Sequence, residues 1–293
     1  MHNIKNVTTK NLVVLRLTIF ALALLFALEL CAVATEKGFF FIHIADTQLG
    51  FTTGNSDLSP EIANFETAIK HINRLKPAFV VVSGDMINTA HDPRQIRAWW
   101  RVAREIREDV PVYLVPGNHD LGTSDASDVR SYEKLFGKDH YAFRHDGSYF
   151  VVLNSCLIHN LDANADLREA QRKWFEEELA KAKAANAKHI FVLTHHPWFA
   201  KDPDEADAYH NIPKAVRQEY LDLMRRFGVD YALAGHLHAE ASGRYDCISV
   251  ITTAALSKRL GSNPEGFRIV KVYPNRVEQA YYALDEVPES VRM

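Results

Sequence analysis

The stretch PVYLVPGNHDLG, residues 111–122, decides how this chain reads. Its first half is a short apolar run of the kind that forms a buried strand. It runs straight into Gly117, Asn118, His119 and Asp120. A simple reversal of the chain is satisfied by Asn-Gly or Asp-Gly. An amide, an imidazole and a carboxylate in succession at a strand end point to something for them to hold.

The same arrangement recurs along the chain. Apolar runs at Phe39–Ala45, Phe79–Ser83, Val112–Val115, Tyr149–Asn154, Ile190–Thr194 and Tyr231–Ala234 are rich in Val, Ile, Phe and Tyr and do not alternate with polar residues. Strands covered on both faces look like this. Amphipathic helices lie between them. Ser59-Pro60 opens one that Pro77 ends, Asp92-Pro93 opens a second, Leu167 to about Ala185 forms a third, and Val216 to Phe227 a fourth, stopped by Gly228. Past residue 240, short strands near 243–253, 267–273 and 276–283 are joined by turns. The pattern is that of an α/β protein with a hairpin-rich C-terminal part.

Five of these strands end on residues that can ligate metal. They are IADTQ with Asp46 and Gln48, VSGDMIN with Asp85, VPGNHD with Asn118, VLTHHP with His195 and His196, and LAGHLH with His236 and His238. In such sheets the carboxyl ends of the strands form the ligand crevice. Singly, each residue has a plain alternative as a cap, a turn former or a satisfied core histidine. Jointly they point to a metal site. Oxygen and nitrogen donors without thiolate suit Fe, Mn, Zn or Co. Six or seven donors exceed one four-coordinate centre. Two cations, divalent or of mixed valence, therefore fit better, with Asp85 shared between them. Such a pair clamps the attacking and leaving oxygens of a phosphate ester and acidifies a water.

Composition narrows the partners. The first 34 residues carry Lys5, Lys10 and Arg16, then the apolar run LTIFALALLFALEL and the sequence CAVA. This reads as an export signal cut before Thr35, with secretion or periplasmic delivery as the consequence. The alternative is an uncleaved membrane anchor, but Glu29 interrupts a run that needs roughly 20 apolar residues to span. Residues 35–293 then form one domain, with no membrane span of its own. They carry 31 basic and 36 acidic residues, a net charge of −5 with no basic tract. That disfavours nucleic acid as the main partner. Cys156 and Cys247 are either one disulfide or two buried thiols. The segment FAKDPDEADAYHNIPKAVR, residues 199–217, could overhang the site and offer Tyr209, His210, Asn211 and Arg217 to a substrate. Its acidic residues disfavour highly anionic substrates. His43 has the opposite parity to Asp46 and reads as a core or supporting residue.

Asp-x-Gln, Gly-Asp-x-x-Asn, Gly-Asn-His-Asp, His-x-Pro and Gly-His-x-His, in this order over residues 39–285, resemble the calcineurin-like metallophosphoesterase superfamily. The resemblance implies a four-layer α/β/β/α sandwich of two mixed sheets flanked by helices. It implies one metal on Asp46, Gln48, Asp85 and His238 and another on Asp85, Asn118, His195 and His236. His119 would protonate the leaving oxygen or bind phosphate, and Asn88 would orient His119. His196, Tyr209 and Arg217 join His119 as candidate substrate contacts. Two departures stand out. Most relatives carry His at the position of Gln48, and the Asp-Arg-Gly of the protein Ser/Thr phosphatases of the calcineurin type is absent. ADTQLGF, VVLNSC, AQRKWFEEEL and YHNIPKAVRQ resemble more specifically the calcineurin-like phosphoesterase-domain-containing protein group, which shares the Asp-x-Gln variant. Some of that group act on phosphoprotein. An exported protein meets little of it, so that substrate is not carried over. The implied activity is a phosphomonoesterase on a phosphoester substrate. The alternatives are a phosphodiesterase or a non-catalytic metal-containing interaction module.

Overall fold

The computed structural model describes residues 38–162 and 164–293. The proposed signal, residues 1–34, lies outside the described residues. Among those described, no helix is long and apolar enough to cross a membrane.

Among the described residues eleven strands form two sheets. In the first, β1 (Phe39–Ile44), β2 (Val80–Ser83) and β3 (Val112–Val115) run parallel. The strands β10 (Gly266–Val272) and β11 (Val277–Ala283) add antiparallel beside β1. In the second, β5 (Ser148–Val152), β6 (Ile190–Leu193), β7 (Tyr231–Ala234) and β9 (Ile248–Thr252) are parallel. Their edges are closed by antiparallel β4 (Tyr141–His145) and β8 (Ala241–Tyr245). Both sheets are mixed, and helices cover both outer faces, which is the four-layer sandwich the resemblance implies.

Strand parity divides the core. Phe41, Phe79, Val81 and Val115 of the first sheet face Phe150, Val152, Phe191 and Leu193 of the second. Phe41 stacks on Phe79 at 4.9 Å and Phe150 on Phe191 at 4.7 Å, with Phe41 edge-on to Phe150 at 5.7 Å. Each such pair adds about 0.5–1.5 kcal/mol beyond its buried area. The alternate residues Ile42, Ile44, Val80 and Val82 pack outward on helices α1 (Ser59–Leu75) and α2 (Pro93–Ala103). Val151, Ile190 and Val192 pack on α6 (Ala165–Ala184) and α7 (Lys214–Phe227). The helices α3 (Asn118–Leu121) and α5 (Ser155–His159) are short connectors with no clear signature in the sequence, while α4 (Ala126–Phe136), capped by Asp125, is as long as α2.

Some local expectations change. Asp92 caps α2 as read, accepting from Arg94 N and Gln95 N. At α1, however, the first-turn N–H of Ser59 is capped by Asp57 Oδ1 at 3.0 Å, because Ser59 already lies inside the helix. Cys156 and Cys247, the cysteines among the described residues, are both free, and Cys247 is exposed at a hairpin turn rather than buried.

Candidate metal centre

The carboxyl ends of β1, β2 and β3 bring Asp46, Gln48, Asp85 and Asn118 from the first sheet. Those of β6 and β7 bring His195, His196, His236 and His238 from the second. Asp46, Gln48, Asp85, His236 and His238 all lie at positive φ, between +31° and +73°. For side chains other than glycine this costs of order 1–3 kcal/mol each, and such strain collects at functional sites. Close approach sets the neighbouring glycines. Gly117 has an ordinary extended φ of −105°, so backbone conformation is not its reason for being glycine. A Cβ there would sit 2.1 Å from Asp85 Oδ1.

The side chains converge. His195 Nε2 lies 2.9 Å from Asn118 Oδ1, 3.1 Å from His236 Nδ1 and 3.4 Å from Asp85 Oδ2. Asp46 Oδ1 lies 3.6 Å from His238 Nε2 and 4.0 Å from His195 Nδ1. Backbone carbonyls fix the rings. Ser83 O accepts from His195 Nδ1 at 2.9 Å, and Lys258 O from His238 Nδ1 at 2.6 Å. Each contact leaves Nε2 facing the cluster, as metal-binding histidines are held when their other nitrogen donates to a carbonyl. Asn118 Nδ2 donates to Tyr209 Oη at 3.3 Å, which turns Oδ1 inward.

The donor set fits cations. Asp46 Oδ1 and Gln48 Oε1 are buried without a hydrogen-bond partner. Asp46, Asp85 and His195 form one group able to hold a metal ion, and His195, His196 and His236 another. Burial pushes Asp46 up. Burial pushes Asp85 up too, but the His195 imidazole outweighs this and holds its carboxyl below the usual range. Burial alone would lower His195, yet the Asp85 and Asp46 carboxylates lift it to about 9. His236 is lowered to about 3 by burial and by His195. The buried carboxylates thus hold a proton on His195, and a cation can take its place.

His196 differs from His195. Ser155 Oγ accepts from the amides of His195 at 3.2 Å and His196 at 2.9 Å, so its own proton goes to His196 Nδ1 at 3.0 Å. Burial and the neighbouring imidazoles hold His196 well below 6.5. Neutral, with Nδ1 accepting, it carries its proton on Nε2 and is a donor there. His159, not signalled by the sequence, stacks on it at 4.3 Å. Both line a cavity of about 510 Å³ with Asn118, Cys156 and Tyr209.

Three expectations are corrected or refined. His119 N donates to Asp85 Oδ1 at 2.9 Å, and its Nδ1 donates to the main-chain oxygen of Asn88 at 2.7 Å. The Asn88 side chain instead bonds Asn55 and Gln48, so it does not itself orient His119. Arg217 is 1% exposed, and its guanidinium donates to the carbonyls of Ile212, Pro203 and Glu205. It latches the loop and does not face the cavity, because a buried guanidinium must spend its donors. Tyr209, at the loop's tip, is 69% exposed yet lies 5.0 Å from the His236 ring, over the cluster. Asp120 ties the loop down, accepting from Met86 N, Ile87 N and Gly117 N.

Comparison with known proteins agrees with this geometry. The model of the calcineurin-like phosphoesterase family matches residues 41–240. The serine/threonine-protein phosphatase CPPED1 of Rattus norvegicus is 34% identical over 265 residues, covering 85% of each chain. That of Homo sapiens is 34% identical over 268 residues, covering 86% of this chain and 85% of its own. The purple acid phosphatase PPD1 from yellow lupin seeds shares the fold, with a TM-score of 0.66 at 14% identity over 87% of this chain and 53% of that one. This chain belongs to the calcineurin-like phosphoesterase family and is a metal-dependent phosphoester hydrolase.

Proposed function

We propose that the protein is an exported phosphomonoesterase with a binuclear centre. The observation that carries this is the junction at His195 Nε2, where acceptors from both sheets meet within 3.4 Å. Two divalent or mixed-valence cations, drawn from Fe, Mn, Zn or Co, would be held by Asp46, Gln48, Asp85 and His238 and by Asp85, Asn118, His195 and His236. When bound they supply positive charge against the phosphate and make water acidic enough to attack at neutral pH.

The remaining steps belong to the protein. His119 holds its Nδ1–H on the Asn88 carbonyl, so its protonated form carries the second proton on Nε2 and would give that proton to the leaving oxygen. His196 Nε2–H suits a phosphate oxygen, which favours substrate contact over metal ligation. Tyr209 shields the cluster from bulk water. Export is supported by the basic, apolar and Ala-x-Ala succession in residues 1–34.

Purified protein loaded with Mn²⁺, Zn²⁺ or Fe is tested on an aryl phosphate, a bis-aryl phosphate and a phosphoserine peptide. Chelator-sensitive turnover that is faster on the monoesters is expected. Faster turnover of the diester, or no turnover with two metals bound, overturns the assignment. The peptide arm tests the substrate suggested by the names of the relatives. N-terminal sequencing of exported protein should begin at Thr35.

A further inference from the structure

The interface between the sheets is apolar along Phe41, Val81, Ile251 and Val270. Two residues further toward the metal cluster, on the same faces of the same chain segments, stand His43, Ser83, Thr253 and Arg268, all buried. They form one chain. Arg268 Nε donates to Thr253 Oγ1 at 3.0 Å, Thr253 Oγ1 meets His43 Nδ1 at 2.8 Å, and His43 Nε2 meets Ser83 Oγ at 2.5 Å. A guanidinium only donates. With one lone pair taken by Arg268, the Thr253 hydroxyl can give its own proton to His43 Nδ1, and His43 then gives Nε2–H to Ser83. Glu240 and Gln279 anchor the far side of Arg268. Burial, with the charge of Arg268, holds His43 at about 3, so it stays neutral.

The near end of the chain reaches the site. The carbonyl of Ser83 is the acceptor that turns His195 Nε2 into the cluster. Asp46, Gln48, Asp85 and Asn118 travel with one sheet, and His195, His236 and His238 with the other. Any slip between sheets changes the distances across the site directly. Apolar contacts are non-directional and resist a small slip weakly, whereas a metal site needs its donors within about 0.5 Å.

We propose that His43 is a positioning residue for the metal centre: by tying Thr253 of one sheet to Ser83 of the other, it sets the carbonyl that orients His195. This rests on the metal reading above. Leucine at position 43 keeps the burial but removes the direction, so it should loosen metal binding without unfolding the chain.

The test uses full-length wild type, His43→Leu, His43→Gln and Thr253→Val, stripped with chelator. Thermal unfolding is measured first, then Mn²⁺ titration by calorimetry, with Zn²⁺ and Co²⁺ as further probes. His43→Leu and Thr253→Val should unfold within about 5 °C of wild type and bind Mn²⁺ about 10-fold more weakly or worse. His43→Gln, whose amide can donate toward Ser83, should regain part of the loss. Unchanged affinity in folded His43→Leu and Thr253→Val overturns the proposal. If His43→Leu does not fold, Thr253→Val decides alone, since valine keeps the shape and removes only the hydroxyl. If both unfold far below wild type, the role is structural and the proposal falls. Wild type that binds none of the three metals sinks the metal reading itself.

Discussion

The carboxylate of Asp85 and the imidazole of His195 belong to different sheets, yet Oδ2 and Nε2 lie 3.4 Å apart. The candidate centre is assembled across the sandwich, and on the proposed reading Asp85 is the carboxylate that both cations share. Asp85→Asn should lower the affinity of both cations by more than the roughly 10–100-fold that outer partners carry. Wild type at a metal concentration 100 times its Kd should gain about 2.7 kcal/mol of stability. Asp85→Asn should gain almost none. Elemental analysis and thermal unfolding with and without metal check this; a full metal complement in the variant contradicts it.

His119 and Asn88 should behave differently although they touch. His119→Ala should reduce kcat by about 10²–10⁴-fold, most for alkyl phosphates, whose leaving oxygen needs the proton. Asn88→Ala keeps the main-chain oxygen that holds His119 and loses only side-chain bonds to Gln48 and Asn55. A loss of roughly 1 kcal/mol, under about 10-fold in rate, is expected. Steady-state kinetics on a leaving-group series separates the two.

Gly117→Ala should be far worse than its size suggests. Its Cβ would fall 2.1 Å from Asp85 Oδ1 and 2.2 Å from Asp85 N. The backbone or the carboxylate must move, costing about 1–3 kcal/mol and displacing a shared donor. Metal content measured beside unfolding should show both defects; a variant that is stable and fully metallated counts against the close approach.

Arg217→Ala should release the segment 200–213, since three carbonyls of that segment and its end are held by one guanidinium. Lysine has no planar fork and should not rescue. Limited proteolysis should nick this segment faster in both variants while metal content stays unchanged. Loss of metal without nicking would place Arg217 at the site after all.

Stability should fall on acidification through His43. Burial, and after it the charge of Arg268, hold its folded value at about 3, below the ordinary 6.5. The unfolded chain therefore takes up the proton first. Above pH 6.5 the group contributes nothing. Below it, stability is lost at about 1.4 kcal/mol per pH unit until the folded value is reached. Denaturant unfolding of chelator-treated wild type and His43→Leu at pH 7 and 5 should differ in slope by this amount; equal slopes refute it.

The sequence alone determined the strand ends, because buried parallel strands are continuous apolar runs and the residues that follow them occupy the crevice. Asp46, Asp85, Asn118, His195, His236 and His238 were legible for that reason. Helices α1, α2, α6 and α7 were legible from their apolar stripes and proline starts. The antiparallel strand β4 was not, since its residues are only partly buried, nor were α3 and α5, which are too short to show a period; α4 was missed although Val129, Tyr132 and Phe136 form a buried stripe behind the Asp125 cap.

Only the tertiary structure decided which partner each side chain uses. Arg217, polar and near the site in sequence, turns back to bond its own loop, and Asn88 supports His119 through its carbonyl instead of its amide. His195 and His236 are 41 residues apart in the chain, and their ring nitrogens meet at 3.1 Å. Hydrogen bonds depend on tenths of an ångström and on direction, which sheet packing fixes and residue order does not.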